Sequence, residues 1–210
     1  MRRPKILGAR LLGLAALPLA LVTTAGIVSA TSYSVFSGTT SSPNNSFTTG
    51  GVVLKNDSSG AQTVTGSALF TTAGTPISPS SSAVSKCVTV QSTTTLPTSA
   101  VRLYVQNAST TNTLAQYLDV KVEVGTATST AGGSCATFTT GSTLFPTGPL
   151  STFETTYPSY ANGLSTGWTP AASGTDTKVF KVTVGPGSTM TNSQQSQTHS
   201  VDLVWEADQS

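Results

Sequence analysis

The stretch HSVDLVWEAD, near the last residue of the sequence, holds the side chains best suited to chemistry. His199 is the single histidine of the chain, and Asp202, Glu206 and Asp208 follow it closely. Imidazole and carboxylate groups are the usual ligands of hydrolytic zinc sites, and they also act as acid–base pairs. On a helix, offsets of three and seven residues would bring His199, Asp202 and Glu206 onto one face. The stretch therefore raises the question of a metal or acid–base site.

The hydrophobic pattern of the same stretch argues against such a site. Val201, Leu203 and Trp205 occupy every second position, which is typical of a strand. In a strand, His199 lies on the same face as these apolar residues, and the acids lie on the opposite face. The histidine and the acids therefore cannot bind the same ion unless the strand has a bulge. One histidine also excludes the two-histidine HExxH motif. The sequence predicts no catalytic residue, no metal ligand and no cofactor, and the chain is predicted not to be an enzyme.

Other kinds of active site find little support. A Ser–His–acid triad would have only His199 as its base, and no GxSxG turn is present. Asp119 and Glu123 alternate outward on a predicted strand, which indicates a solvated face. Trp168, in a Gly- and Pro-rich loop, is the better exposed candidate for a sugar-stacking platform. A glycosidase carboxylate pair would have to draw on Asp119, Glu123, Glu154, Asp176 and the acids after His199.

Cys87 and Cys135 are the only cysteines, and they are predicted to form a disulfide. The alternative, two thiolates of a metal site, would need histidine or acidic partners near them, and the sequence offers none nearby. Closing a loop of about fifty residues would stabilise the fold by about 4 kcal/mol on the chain-entropy model.

The elements that must position these residues are mainly strands. Residues 117–124, YLDVKVEV, alternate most clearly, with Leu118, Val120 and Val122 on one side. Sparse charge and abundant Ser and Thr also favour an all-β protein. The pattern predicts an antiparallel β-sandwich of about eight strands with long loops, residues 125–177 being one elaborated loop region. A short helix is predicted within 148–157, GPLSTFETTY. Further candidate strands are 33–36, 51–55, 62–70, 84–91, 100–106, 178–184 and 198–206.

Residues 1–30 have the pattern of a secretory signal peptide, with a basic start, an apolar run and a small-residue exit at Ala30. A retained membrane anchor is the rival interpretation. Cleavage would leave six Lys or Arg against eight Asp or Glu, a net charge of −2. That balance excludes the basic stripe expected of a nucleic-acid-binding protein. Residues 31–210 are predicted to form one secreted domain, extracellular or wall-associated, that meets the membrane only through the signal peptide.

Two stretches of the sequence carry recognisable motifs. In ATSYSVFSGTTSSPNNSFTTGGVVL, residues 30–54, an aromatic strand ends in Phe36-Ser37 and the motif NxFxxGxxxL follows. Near the last residues, an NxxQ motif precedes a strand ending in WEAxQ. The residues that carry the two motifs are Asn45, Phe47, Gly50, Leu54, Asn192, Gln195, Trp205, Glu206, Ala207 and Gln209. With these motifs the sequence resembles the TasA/camelysin family of exported proteins, although Gly38 stands where that family usually has Asp.

The resemblance implies a jelly-roll type of sandwich and, for some members, assembly into extracellular fibres of the biofilm matrix. Camelysin-type members are described as surface metalloproteases, which keeps that activity as an alternative function. A carbohydrate- or wall-binding module is the second alternative.

The N-terminal segment suggests how copies could associate. Residues 31–37 are predicted to form a short strand, and the sequence TTSSPNN that follows is predicted to be part of a flexible connection that reaches residue 50. A strand at a free terminus can add to the open sheet edge of a neighbour, and repeated head-to-tail contacts make a filament. Tyr33, Val35 and Phe36 are the candidate donated residues. The alternative is that this strand pairs within its own subunit. The expected partners are further copies of the chain and other surface or matrix proteins.

Overall fold

The part of the chain that the structure describes forms nine strands and one α-helix, where alternation or pairing supports them. The computed structural model describes residues 37–42, 52–64, 66–71, 77–111 and 113–209, and all statements below concern these residues. The strands are β1 (Ser37–Ser42), β2 (Val52–Asn56), β3 (Val84–Thr94), β4 (Arg102–Gln106), β5 (Leu118–Thr126), β6 (Thr139–Pro149), β7 (Leu164–Ser165), β8 (Gly174–Pro186) and β9 (Asp202–Asp208). The helix α1 spans Leu150–Thr156, and the remaining helical segments are short 3-10 turns.

The strands pair into two antiparallel sheets. The first sheet has the order β1-β9-β4-β7, and the second has the order β2-β3-β8-β5-β6. The sheets pack face to face, since the rings of Phe180 in β8 and Trp205 in β9 lie 5.6 Å apart. The predicted antiparallel β-sandwich with one short helix is confirmed.

The core lies between the sheets and follows the predicted alternation. In β5, Leu118, Val120 and Val122 are buried, whereas Asp119 and Lys121 between them are half-buried. Burying an aliphatic side chain of this size stabilises a fold by roughly 1.5–3 kcal/mol. The largest fully buried side chains are Trp205, Phe153, Phe180, Leu54 and Leu103.

The disulfide between Cys87 and Cys135 is confirmed. Cys87 is fully buried in β3, and the two Cα atoms are 5.1 Å apart. The bond ties the middle of the second sheet to the loop before β6. A disulfide of this kind fits a chain that folds in an oxidising compartment.

Two predictions about the strands were wrong. The region 125–177 contains β6 and β7 and is not only loop, and β6 pairs with β5 through three register shifts. Within 62–70, Thr63 forms an isolated bridge to Asn56, and the described residues of this range form no continuous strand. After Thr63 the chain leaves the sheet, and the half-buried Leu69 and Phe70 pack against the core.

The N-terminal predictions fall partly on described residues. Residues 39–42, expected in a flexible connection, form most of β1, because their backbone pairs with β9. The signal peptide lies outside the described residues, as do Tyr33, Val35, Phe36, Asn45, Phe47 and Gly50. Within the described part of the chain, no helix is long and apolar enough to cross a membrane.

Candidate functional site

The partner of His199 is Glu154, which the sequence-based prediction did not pair with it. The imidazole lies before β9, and its Nε2 is 2.6 Å from the Oε1 of Glu154 on α1. Both side chains are largely buried, at 2% and 13% exposure. The expectation that His199 belongs to the last strand was wrong, because that strand begins at Asp202.

The acids of β9 lie apart from His199, in contacts of their own. The carboxylate of Asp202 accepts a hydrogen bond from the Nδ2 of Asn107 at 2.8 Å. Glu206 accepts a hydrogen bond from the hydroxyl of Tyr104. Burial raises the pKa of Glu206, and the charge of Asp208 adds to this, while the hydroxyl of Tyr104 opposes it. Burial and the contact with Glu206 likewise raise the pKa of Tyr104. These contacts tie β9 to β4 and its following loop.

The described residues contain no group of three His, Cys, Asp or Glu side chains arranged to hold a metal ion. His199 and Glu154 make a pair, and four of the other carboxylates considered for catalysis have separate partners, namely those of Glu123, Asp176, Asp202 and Glu206. Asp176, for example, accepts a hydrogen bond from the Nε1 of Trp168 at 2.9 Å. The contacts therefore position strands and loops.

Glu123 does not lie on a solvated face, contrary to the prediction. The residue is buried, and its carboxylate lies 2.9 Å from the Nζ of Lys121 and 3.5 Å from the Nζ of Lys181. Burial alone would raise the pKa of Glu123, but the hydrogen bond and charge of Lys121, with Lys181, hold it below its usual value. The cluster joins β5 to β8 on the outside of the second sheet. Alternation predicted its outward direction correctly but could not predict that neighbouring side chains would cover it.

Trp168 is not an exposed platform. Its side chain is buried, and its ring packs near that of Phe180, with centroids 6.4 Å apart. The backbone N–H of Val101 also donates to the carbonyl of Trp168 at 2.7 Å. The tryptophan therefore anchors its loop to the core.

The residues of the second family-like motif lie on two elements. Asn192 begins a 3-10 turn capped by Thr191, and Gln195 follows that turn at the surface. Trp205 and Glu206 lie in β9, and Gln209 bridges to Thr98 just beyond the strand. Leu54, from the first motif, is fully buried in β2.

The pairing of β1 with β9, at one edge of the first sheet, is the candidate site for contacts between copies. Six residue pairs join these strands in antiparallel register, from Ser37 opposite Asp208 to Ser42 opposite Leu203. Among the described strands β9 is the only neighbour of β1 in its sheet, so β1 is an edge strand. Its sequence, SGTTSS, supplies small residues, and main-chain hydrogen bonds define the pairing.

Comparison with known proteins adds no relative, because no protein-family model, curated protein or solved structure matches the chain.

Proposed function

We propose that this chain is an exported structural protein of the cell surface or extracellular matrix, without enzymatic activity, and that its copies join by exchanging the N-terminal strand. The proposal places it with the TasA/camelysin family, as the two motifs suggest. The position of β1 carries the proposal. This strand is the first of the described elements, lies at a sheet edge and is paired by backbone to β9.

Strand exchange needs no new contact surface. The bonds that β1 makes to β9 are main-chain bonds, so the same segment of another copy can make the same six pairs. Because identical contacts form in both arrangements, the choice between them depends on the connecting segments. If each copy gives its strand to the next, the contact does not close and a filament grows. Tyr33, Val35 and Phe36 would extend the donated segment.

The disulfide supports an extracellular location, since such bonds persist mainly in oxidising compartments. The strand orders support the jelly-roll type, because each sheet interleaves strands from early and late parts of the chain. Other surface or matrix proteins are the second class of partner. The sequence of residues 1–30 supports export.

A cysteine variant tests the exchange. Ser37 and Asp208 lie opposite each other, so the double variant Ser37→Cys/Asp208→Cys should form a disulfide where β1 meets β9. Exchange predicts covalent oligomers on a non-reducing gel, whereas pairing within one subunit gives a cross-linked monomer. Ser42→Cys/Asp208→Cys is the control, because Ser42 lies opposite Leu203. A cross-linked monomer in the filament-forming fraction would refute the exchange.

Electron microscopy supplies the second test. The protein purified from residue 31 onward should form fibres, and removal of residues 31–42, which include β1, should abolish them. Fibres unchanged by the truncation would contradict strand donation. A proteolytic activity lost both with chelator and in His199→Ala would favour the metalloprotease alternative.

A further inference from the structure

A cavity of about 570 Å³ opens at one end of the sandwich. Both sheets contribute to its walls, with Val182 and Val184 from β8, Leu118 from β5 and Leu203 from β9. Met190 and the segments 68–71 and 77–79 border it on the outside. Protein interiors normally contain few spaces larger than a water molecule, and ligand sites occupy roughly 300–1,000 Å³. The cavity has the size of a small-molecule site.

The polar groups of the cavity restrict the charge of a ligand. Asp202 lines it, and no Lys or Arg does. His199 forms part of the wall, and its Nε2 faces Glu154, a second acid close by. The other polar lining groups are amides and hydroxyls, such as Gln195 and Ser196, which can both donate and accept hydrogen bonds. An anionic head would meet the carboxylate of Asp202 without a lysine or arginine in the lining, whereas an uncharged head can hydrogen-bond to the amides and hydroxyls.

We propose that this cavity binds an uncharged amphipathic molecule, with an alkyl body between the sheets and a hydroxyl head among the amide and hydroxyl groups of residues 191–200. The apolar body contacts Val182, Val184, Leu118 and Leu203, and each buried methylene strengthens binding about fourfold. The cavity shares Leu203 with the β1–β9 pairing, but binding here does not require the exchange of β1.

Titration of the 15N-labelled protein with hexan-1-ol, octan-1-ol and octanoate, followed by amide NMR shifts, tests the proposal. Octan-1-ol should produce saturable shifts confined to the lining residues and should bind roughly fifteenfold more tightly than hexan-1-ol, because it has two more methylenes. Octanoate at neutral pH should bind at least about tenfold more weakly than octan-1-ol, since the lining carries a negative charge. Non-saturable or scattered shifts, or octanoate binding as tightly as octan-1-ol, would overturn the proposal.

Substitutions in the lining test the contacts of the ligand's alkyl body and those of its head group separately. Asp202→Asn should reduce the difference in affinity between octan-1-ol and octanoate without weakening the binding of octan-1-ol. Asp119 does not line the cavity, so Asp119→Asn should leave this difference in affinity unchanged. Val184→Trp should fill the cavity and abolish binding of both probes. Should that variant fail to fold, Met190→Trp fills the same space from the loop. Unchanged octan-1-ol affinity in the folded filling variant would overturn the placement.

Discussion

The Nε2 of His199 lies 2.6 Å from the Oε1 of Glu154, although 45 residues separate them in sequence. The contact joins α1 to the segment that leads into β9. Because both side chains are largely buried, each satisfies a polar group that water reaches poorly. The single histidine of the chain thus ties α1 to the segment before β9, and its acid partner comes from α1 rather than from the neighbouring residues Asp202, Glu206 and Asp208.

A double-mutant cycle should measure this contact. Glu154→Ala or His199→Ala leaves the other group buried without its partner, so either variant should lower the free energy of unfolding by about 1–3 kcal/mol. The double variant should cost less than the sum, with a coupling of about 1 kcal/mol or more. The exposed pair Asn107 and Asp202 is the control and should couple more weakly. Additive losses at Glu154 and His199 in denaturant titrations would contradict the contact.

The ion-pair cluster at Glu123 should make stability depend on pH. The two lysines hold the folded-state pKa of Glu123 below its usual value, so its contribution is present above the unfolded pKa and is lost as pH falls through the folded pKa. Glu123→Gln should therefore lower the free energy of unfolding at pH 7 by roughly 1 kcal/mol, because both lysines are partly solvated. Denaturant titrations from pH 7 to pH 3 should show the difference from wild type shrinking.

Asp119→Asn is the matched control for Glu123, since Asp119 lies on the same strand and is half-buried. It should change stability less at neutral pH. A Glu123→Gln deficit that stays constant down to pH 3 would mean that the carboxylate charge contributes nothing.

Gly125 should be required for the pairing of β5 with β6. A Cβ built at this position would lie 2.0 Å from the carbonyl oxygen of Thr139, at one of the register shifts. Gly125→Ala should therefore force the strands apart and cost about 1–3 kcal/mol, measured by thermal unfolding. Gly148→Ala in β6 is the control, because its Cβ would meet Phe145 at an ordinary 3.6 Å. Equal melting temperatures for the two variants would contradict the close approach.

The two tryptophans should respond differently to replacement by phenylalanine. The Nε1 of Trp168 donates to Asp176, whereas the buried Nε1 of Trp205 has no hydrogen-bond partner among the described residues. Trp168→Phe removes a hydrogen bond to a charged group, worth about 1.5–3 kcal/mol, in addition to ring volume. Trp205→Phe removes ring volume and an unsatisfied donor. In denaturant titrations we expect Trp168→Phe to lower the free energy of unfolding more than Trp205→Phe does. A larger decrease for Trp205→Phe would show that the packing of the ring outweighs the hydrogen bond.

Elements whose pattern comes from burial on one face could be predicted from the sequence. Alternation at 117–124 predicted β5, observed at Leu118–Thr126, and helical spacing at 148–157 predicted α1, observed at Leu150–Thr156. The pairing of Cys87 with Cys135 followed from their number and the predicted export. In each case the local sequence carries the constraint.

Elements and contacts that depend on pairing with a distant part of the chain could not be predicted from the local sequence. The strand β6, TTGSTLFPTGP, is an edge strand whose side chains are mostly exposed. Its sequence therefore shows no alternation of apolar and polar residues. Its prolines and register shifts also blur the period. The contact of His199 with Glu154 depends on which end of the sandwich α1 covers, and burial of Trp168 depends on how its loop returns to the core.

The register of β1 on β9 also determines how the edge responds to mechanical load. Ser37 lies opposite Asp208, so handles attached at these two residues pull from the same end and peel the strands apart one pair at a time. Handles at Ser42 and Asp208 pull from opposite ends and load all six pairs together. The same set of hydrogen bonds thus forms a weak joint in one direction of pull and a strong joint in the other.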